Sequence, residues 1–156
     1  STQLLGSQND MATIRLRRTS IVISIDAGTR EMFKKMKRVD KFNDVINNIK
    51  HYLRNTKTNK DRVVAKYIIV PNVNDSKEEI DKWITLCKDI GIKTMQPSIE
   101  FCSQVVSPGI FRQKQGELYK YMKSQIIENG FEIITYDFLE EIIKNESFDI
   151  TIKRDK

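Results

Sequence analysis

Two β-branched runs bracket one amphipathic helix in the first half of this chain, and that arrangement limits the fold more than any other feature. The first run is Ile21-Val22-Ile23-Ser24-Ile25-Asp26 and the second is Val63-Val64-Ala65-Lys66-Tyr67-Ile68-Ile69-Val70; both stop in polar, turn-forming residues. Between them Phe42, Val45, Ile46, Ile49 and Leu53 sit at offsets 0, 3, 4, 7 and 11, the apolar stripe of a helix lying on a sheet. Strand, helix and strand in this order make a βαβ unit, and such units normally build a parallel sheet covered by helices. Parallel α/β folds bind ligands at the carboxyl ends of their strands. The loops Asp26-Ala27-Gly28-Thr29 and Pro71-Asn72-Val73-Asn74-Asp75 are therefore where function is expected.

The alternation continues along the chain. Strands are expected near 20–26, 63–70, 92–100 and 131–136, ordered by sequence, with the helices on one face of the sheet and right-handed crossovers. A short helix over 30–37 and the striped helix over 42–53 follow the first strand. Ser76-Lys77-Glu78-Glu79 carries the serine and glutamate of a capping box, opening a helix whose buried face is Ile80, Trp83, Ile84 and Cys87. Gly91 suits the left-handed position that closes it. Pro97 interrupts the third strand and predicts a bulge or a sheet edge. Residues 102–115 read as a loop and 117–129 as a helix ending at Gly130. A short helix carries Phe138, Leu139, Ile142 and Ile143, and a last strand is expected over 148–152.

At 156 residues the chain has room for one domain with a hydrophobic core, and falls short of a complete eight-stranded barrel of typically ~250 residues. Its 39% hydrophobic and 31% charged residues place it among folded rather than disordered chains. No apolar run reaches the ~18 residues of a membrane-spanning helix, and the polar start has no secretory pattern, so a cytoplasmic location is the default expectation. Cys87 and Cys102 lack the spacing of a zinc or cluster site and are read as reduced structural residues; no metal ligand is assigned. His51, on a helix between Lys50 and Tyr52, is read as a surface residue. With neither a Walker nor a GxGxxG pattern, nucleotide-triphosphate chemistry finds no support.

Side chains alternate faces along a strand. Val22, Ser24 and Asp26 share one face of the first strand, Val64, Lys66, Ile68 and Val70 one face of the second, and Thr94, Gln96, Ser98 and Glu100 one face of the third. An antiparallel sheet with one wet side would account for such polar faces. The βα alternation argues instead for a parallel sheet, in which buried polar groups need partners or a ligand. Ser24, Asp26, Lys66, Gln96, Ser98 and Glu100 then line a common interior near the strand ends, suited to a polar, zwitterionic or hydroxyl-rich small molecule.

Ser24-Ile25-Asp26-Ala27-Gly28-Thr29-Arg30-Glu31, with Phe33-Lys34-Lys35, Val39-Asp40-Lys41-Phe42-Asn43-Asp44-Val45 and Asn48-Ile49-Lys50, resembles the fourth strand and following helix of radical S-adenosylmethionine (SAM) proteins. Lys66-Tyr67-Ile68-Ile69-Val70-Pro71-Asn72-Val73-Asn74-Asp75, running on to Glu79, is similar to their fifth strand and its loop. The match covers about residues 20–101. In that family a partial (βα)6 barrel holds a [4Fe-4S] cluster on a CxxxCxxC triplet, SAM binds the unique iron, and an electron from the cluster cleaves SAM to a radical that abstracts hydrogen from substrate. The resemblance implies an α/β fold that is half of a partial TIM-like barrel: residues 20–156 as its C-terminal half, with 1–19 a connecting segment or the remnant of a preceding helix.

It implies further that Ser24, Asp26 and Lys66 contact SAM, and that Gln96, Ser98 and Glu100 face adenine or substrate. No CxxxCxxC occurs here, so SAM and the cluster are expected in the parent protein, and neither is expected to bind tightly to this chain alone. The expected partners are the N-terminal half barrel and a small-molecule or peptide substrate. Arg38 and Asn72 stand where related sequences often have glycine. The alternative function is a non-catalytic α/β binding module, contacting an anionic partner such as RNA. A net charge of +6 and six basic residues between Arg30 and Lys41 would suit one, although a solvated lysine-rich helix face explains them as well. An unrelated doubly wound domain is the third reading.

Overall fold

The computed structural model describes residues 20–55, 63–100 and 110–144. Four strands, β1 (Ile21–Ser24), β2 (Val63–Ile69), β3 (Thr94–Ile99) and β4 (Glu132–Ile133), alternate with helices α1 (Arg30–Lys37), α2 (Phe42–Asn55), α3 (Lys77–Ile90), α4 (Ile110–Glu128) and α5 (Asp137–Lys144). They form one sheet in the order β1-β2-β3-β4, every pair parallel. This is the α/β architecture of a half TIM-like barrel, and among the described residues no strand pairs antiparallel.

One face of the sheet carries the core. Val63, Ala65, Tyr67 and Ile69 of β2 and Met95 and Ile99 of β3 pack with Phe33, Ile46, Ile49, Leu53, Ile80, Trp83, Ile84, Cys87, Tyr119, Met122 and Ile126 of the helices in a single cluster. Trp83 and Tyr67 are its largest members, both 0% exposed, with ring centroids 4.9 Å apart. Burial pushes the Cys87 thiol upward, so it packs as an apolar group and not as a thiolate.

Local signals set the helix ends. The Thr29 hydroxyl accepts the Met32 N–H and the Ser76 hydroxyl accepts the Glu79 N–H, opening α1 and α3. Arg38 (φ 59°) and Gly91 (φ 87°) close them in the left-handed conformation. Asn72 is also left-handed, at φ 60°. The two positions where glycine was expected from the resemblance therefore both require positive φ. At Arg38 a non-glycine residue adopts it and still donates its N–H to the Lys34 carbonyl.

Several sequence boundaries need correction. The loop expected over 102–115 ends at least six residues earlier, because α4 begins at Ile110 and runs through Gly116. A helical glycine costs about 1 kcal/mol, which the burial of Leu118, Tyr119, Met122 and Ile126 outweighs. The strands are shorter than expected: β1 stops at Ser24, and β4 holds two residues. Pro97 causes no bulge, since β2–β3 pairing runs unbroken from Val64↔Thr94 to Ile69↔Ile99. The Met95 carbonyl accepts from Ile134 while the Glu100 N–H reaches back to Ile69, so position 97 points its missing N–H to the β4 side, past the end of that strand. Pro97 thus marks a local sheet edge. Residues 1–19, Cys102 and the strand expected over 148–152 lie outside the described residues.

Candidate ligand-binding site

On the face opposite the core, parallel pairing lines up polar side chains from three strands. Ser24 pairs with Lys66 and Lys66 with Gln96, so hydroxyl, ammonium and amide form one row across β1, β2 and β3. One step toward the carboxyl ends, Ile68 pairs with Ser98. The row runs from solvent into the molecule: Ser24 is exposed, Lys66 half-buried, and Gln96 and Ser98 are buried. Glu100 is half-buried just beyond β3, its N–H on the Ile69 carbonyl. The Lys66 ammonium lies 5.5 Å from the ring centroid of Tyr136, which follows β4. Among the described residues no carboxylate pairs with it.

Asp26 is placed differently from its predicted companions. Its backbone turns to φ 54°, which ends the alternation of β1 and swings the side chain out of the row. The carboxylate, 2% exposed as a residue, accepts the Ile68 N–H at 2.8 Å and pairs with Lys37 of α1. Charge-assisted bonds of this kind are the stronger ones. Asp26 thereby ties the β1–α1 loop to the end of β2.

Asn74, which sequence reasoning did not single out, completes that tie. Its side-chain oxygen accepts the Val70 N–H at 2.7 Å, and its amide nitrogen donates to the carbonyls of Asp26 and Ile68, each at 3.0 Å. Its own carbonyl accepts the Tyr67 hydroxyl at 2.8 Å. Burial raises the Tyr67 phenol well above its ordinary range, with Glu79, Asp26 and Asp75 adding to the shift, so it stays a donor at neutral pH. Next to it, Asp75 pairs with Lys114 at 2.8 Å, joining the β2 loop to α4. The signal for Asn74 lay in the turn-forming run Asn72-Val73-Asn74-Asp75, where asparagine bonds local backbone readily.

Elsewhere the surface offers less. Three of the six basic residues around α1 are neutralised by Asp26, Asp40 and Asp44, through Lys37, Arg30 and Lys41 respectively. His51 is exposed and bonds Asn55 at 2.9 Å. No group of three metal-ligating side chains occurs among the described residues, and none of their helices is long and apolar enough to cross a membrane.

The chain resembles a solved radical SAM methyltransferase from Sphaerobacter thermophilus, with a TM-score of 0.53 at 16% sequence identity. The two chains share a fold over the matched part. The likeness covers 78% of this chain and 36% of the other, so the chain spans about a third of that protein's length. At this identity the likeness speaks for the fold. No family model matches the sequence, and no curated protein matches it.

Proposed function

We propose that this chain supplies the SAM-binding and substrate-facing strands of a radical SAM barrel, working with a cluster-bearing half barrel as its partner. The observation that carries the reading is the in-register row Ser24–Lys66–Gln96 on the face away from the core, within a radical SAM-like fold. A hydroxyl, an ammonium and an amide in one row suit the carboxylate, amine and ribose hydroxyls of SAM. Ser24 and Lys66 take the methionyl group and ribose; the buried Gln96 and Ser98, with the half-buried Glu100 beyond them, face adenine or substrate. Asp26 serves by fixing the loop beside them, since its carboxylate is already engaged.

The chain's own residues do not fit the iron–sulfur cluster. Two cysteines cannot supply three thiolates, and Cys87 is buried in the core. In related proteins the cluster supplies the electron that cleaves SAM; what these strands do is bind and orient. Because affinity depends on a preorganised, largely enclosed pocket, this chain alone should hold SAM weakly, with a Kd on the order of 1 mM. In a complex with a cluster-bearing half barrel, Lys66→Ala should weaken SAM binding about tenfold or more, the scale of one charge-assisted contact, with iron content unchanged. Calorimetry on the two complexes reads this directly, and equal affinities would remove Lys66 from the site. The competing reading, an anionic partner on α1, rests on the exposed Lys34, Lys35 and Arg38.

A further inference from the structure

Lys66 is the cation of the polar row, and what holds its ammonium in place is an aromatic ring. A lysine side chain has four rotatable bonds, and ordering it costs up to about 2 kcal/mol of rotamer entropy. An unsupported lysine would therefore meet a ligand poorly. Here the ammonium sits 5.5 Å from the Tyr136 centroid, within cation–π range. The ring is itself fixed at the start of α5. The Tyr136 carbonyl accepts the N–H groups of Leu139 and Glu140, both at 3.0 Å, and the ring packs on Phe138 at 5.7 Å between centroids. α5 is in turn held to α4 by Glu140, which accepts the Tyr119 hydroxyl at 2.8 Å and pairs with Lys123. The chain reaches this position from β4, where the Ile134 N–H bonds Met95 next to Gln96. Two rigid attachments thus bring one aromatic ring to the row from the far side of the sheet.

We propose that Tyr136 is a positioning residue for this site: its ring orders the Lys66 ammonium over the polar face, so that the ammonium is ready to receive a ligand carboxylate. The ring supplies attraction without neutralising the charge, which a carboxylate in its place would do. This rests on the reading of the row as a SAM site, and the experiment separates the two ideas.

The test is reductive methylation of the whole chain with 13C-formaldehyde, which leaves each lysine charged and gives it a resolved dimethylammonium signal. Lys66→Arg assigns the Lys66 signal. It should lie upfield of the exposed lysines because of the ring, return to their position in Tyr136→Leu, and stay displaced in Tyr136→Phe. An unmoved signal in folded Tyr136→Leu overturns the proposal. If that variant does not fold, the contact is read from the ring instead: the Tyr136 ring resonances should move in Lys66→Gln, and unmoved resonances overturn the proposal equally.

The ligand arm compares SAM with decarboxylated SAM. Tyr136→Leu should weaken SAM by up to roughly thirtyfold, the factor that corresponds to the rotamer entropy a preordered lysine no longer has to lose, and leave decarboxylated SAM unchanged. Tyr136→Phe should restore the difference. Equal weakening of both ligands overturns positioning of a carboxylate anchor. A displaced Lys66 signal in a chain that distinguishes neither ligand upholds the ordering of Lys66 by Tyr136 and sinks the SAM reading.

Discussion

The two faces of β2 behave as different materials. Val63, Ala65, Tyr67 and Ile69 point into the helical layer and are at most 1% exposed, whereas on the other face only Val64 is buried and Lys66 and Ile68 are half-buried. The first face is closed by apolar contact with α2 and α3. The second carries a row of hydroxyl, ammonium and amide whose cation has an aromatic neighbour and, among the described residues, no counter-ion. The first face supplies the apolar core, and the second holds a polar row that is exposed at Ser24, half-buried at Lys66 and buried at Gln96. Along the boundary, Asp26 and Asn74 lock the strand ends so that the row keeps its register.

The largest expected effect lies on the core face. Trp83→Ala should cost about 3–5 kcal/mol, since the ring is fully buried against Tyr67, and Lys66→Ala should stay within about 1 kcal/mol. Denaturant titration of both variants makes the comparison, and equal losses would erase the division between the faces.

Asn74→Asp probes the boundary. The substitution keeps the shape, removes the two donated bonds to Asp26 and Ile68, and brings a second carboxylate to Asp26. A loss of about 2–3 kcal/mol is expected, because buried carbonyls are left unpaired. Asn74→Asp should also disturb SAM binding through the strand ends. A stable variant would show that the tie is dispensable.

The smallest effect is one of pH. The folded state holds the Tyr67 and Tyr119 protons to higher pH than the unfolded chain, whose tyrosines titrate near 10. Above that pH the unfolded state binds fewer protons, so stability is full below about 10 and falls as pH rises further. Tyr67→Phe should flatten this alkaline slope without altering it near neutrality. A slope identical to that of the parent chain would mean that the phenol is not held neutral by burial.

Much of the core face was legible in the sequence, because its signals are local and periodic. The 3.6-residue stripe from Phe42 to Leu53, the Ser76 cap and Gly91 each predict the element found. Strand alternation also selected Ser24, Lys66, Gln96 and Ser98 for one face. What alternation could not foresee is where it stops: Asp26 turns to positive φ because its carboxylate meets the Ile68 N–H, 42 residues away in sequence. Tyr136 was hidden for the same reason, since its contact with Lys66 depends on how β4 docks beside β3. The helix expected over 117–129 begins instead at Ile110, because the buried face of Leu118, Tyr119, Met122 and Ile126 carries it through Gly116 despite that residue's low propensity.

The most direct test of the central claim is an amide shift map of the isotope-labelled chain titrated with SAM to several times the ~1 mM Kd expected of an incompletely enclosed site. The account predicts saturable shifts at Ser24, Lys66 and Gln96 and on the neighbouring Tyr136, with Ile80, Ile84 and Cys87 on the helical side unmoved. Shifts confined to α1, or none that saturate, would contradict a SAM site on the polar face of this sheet.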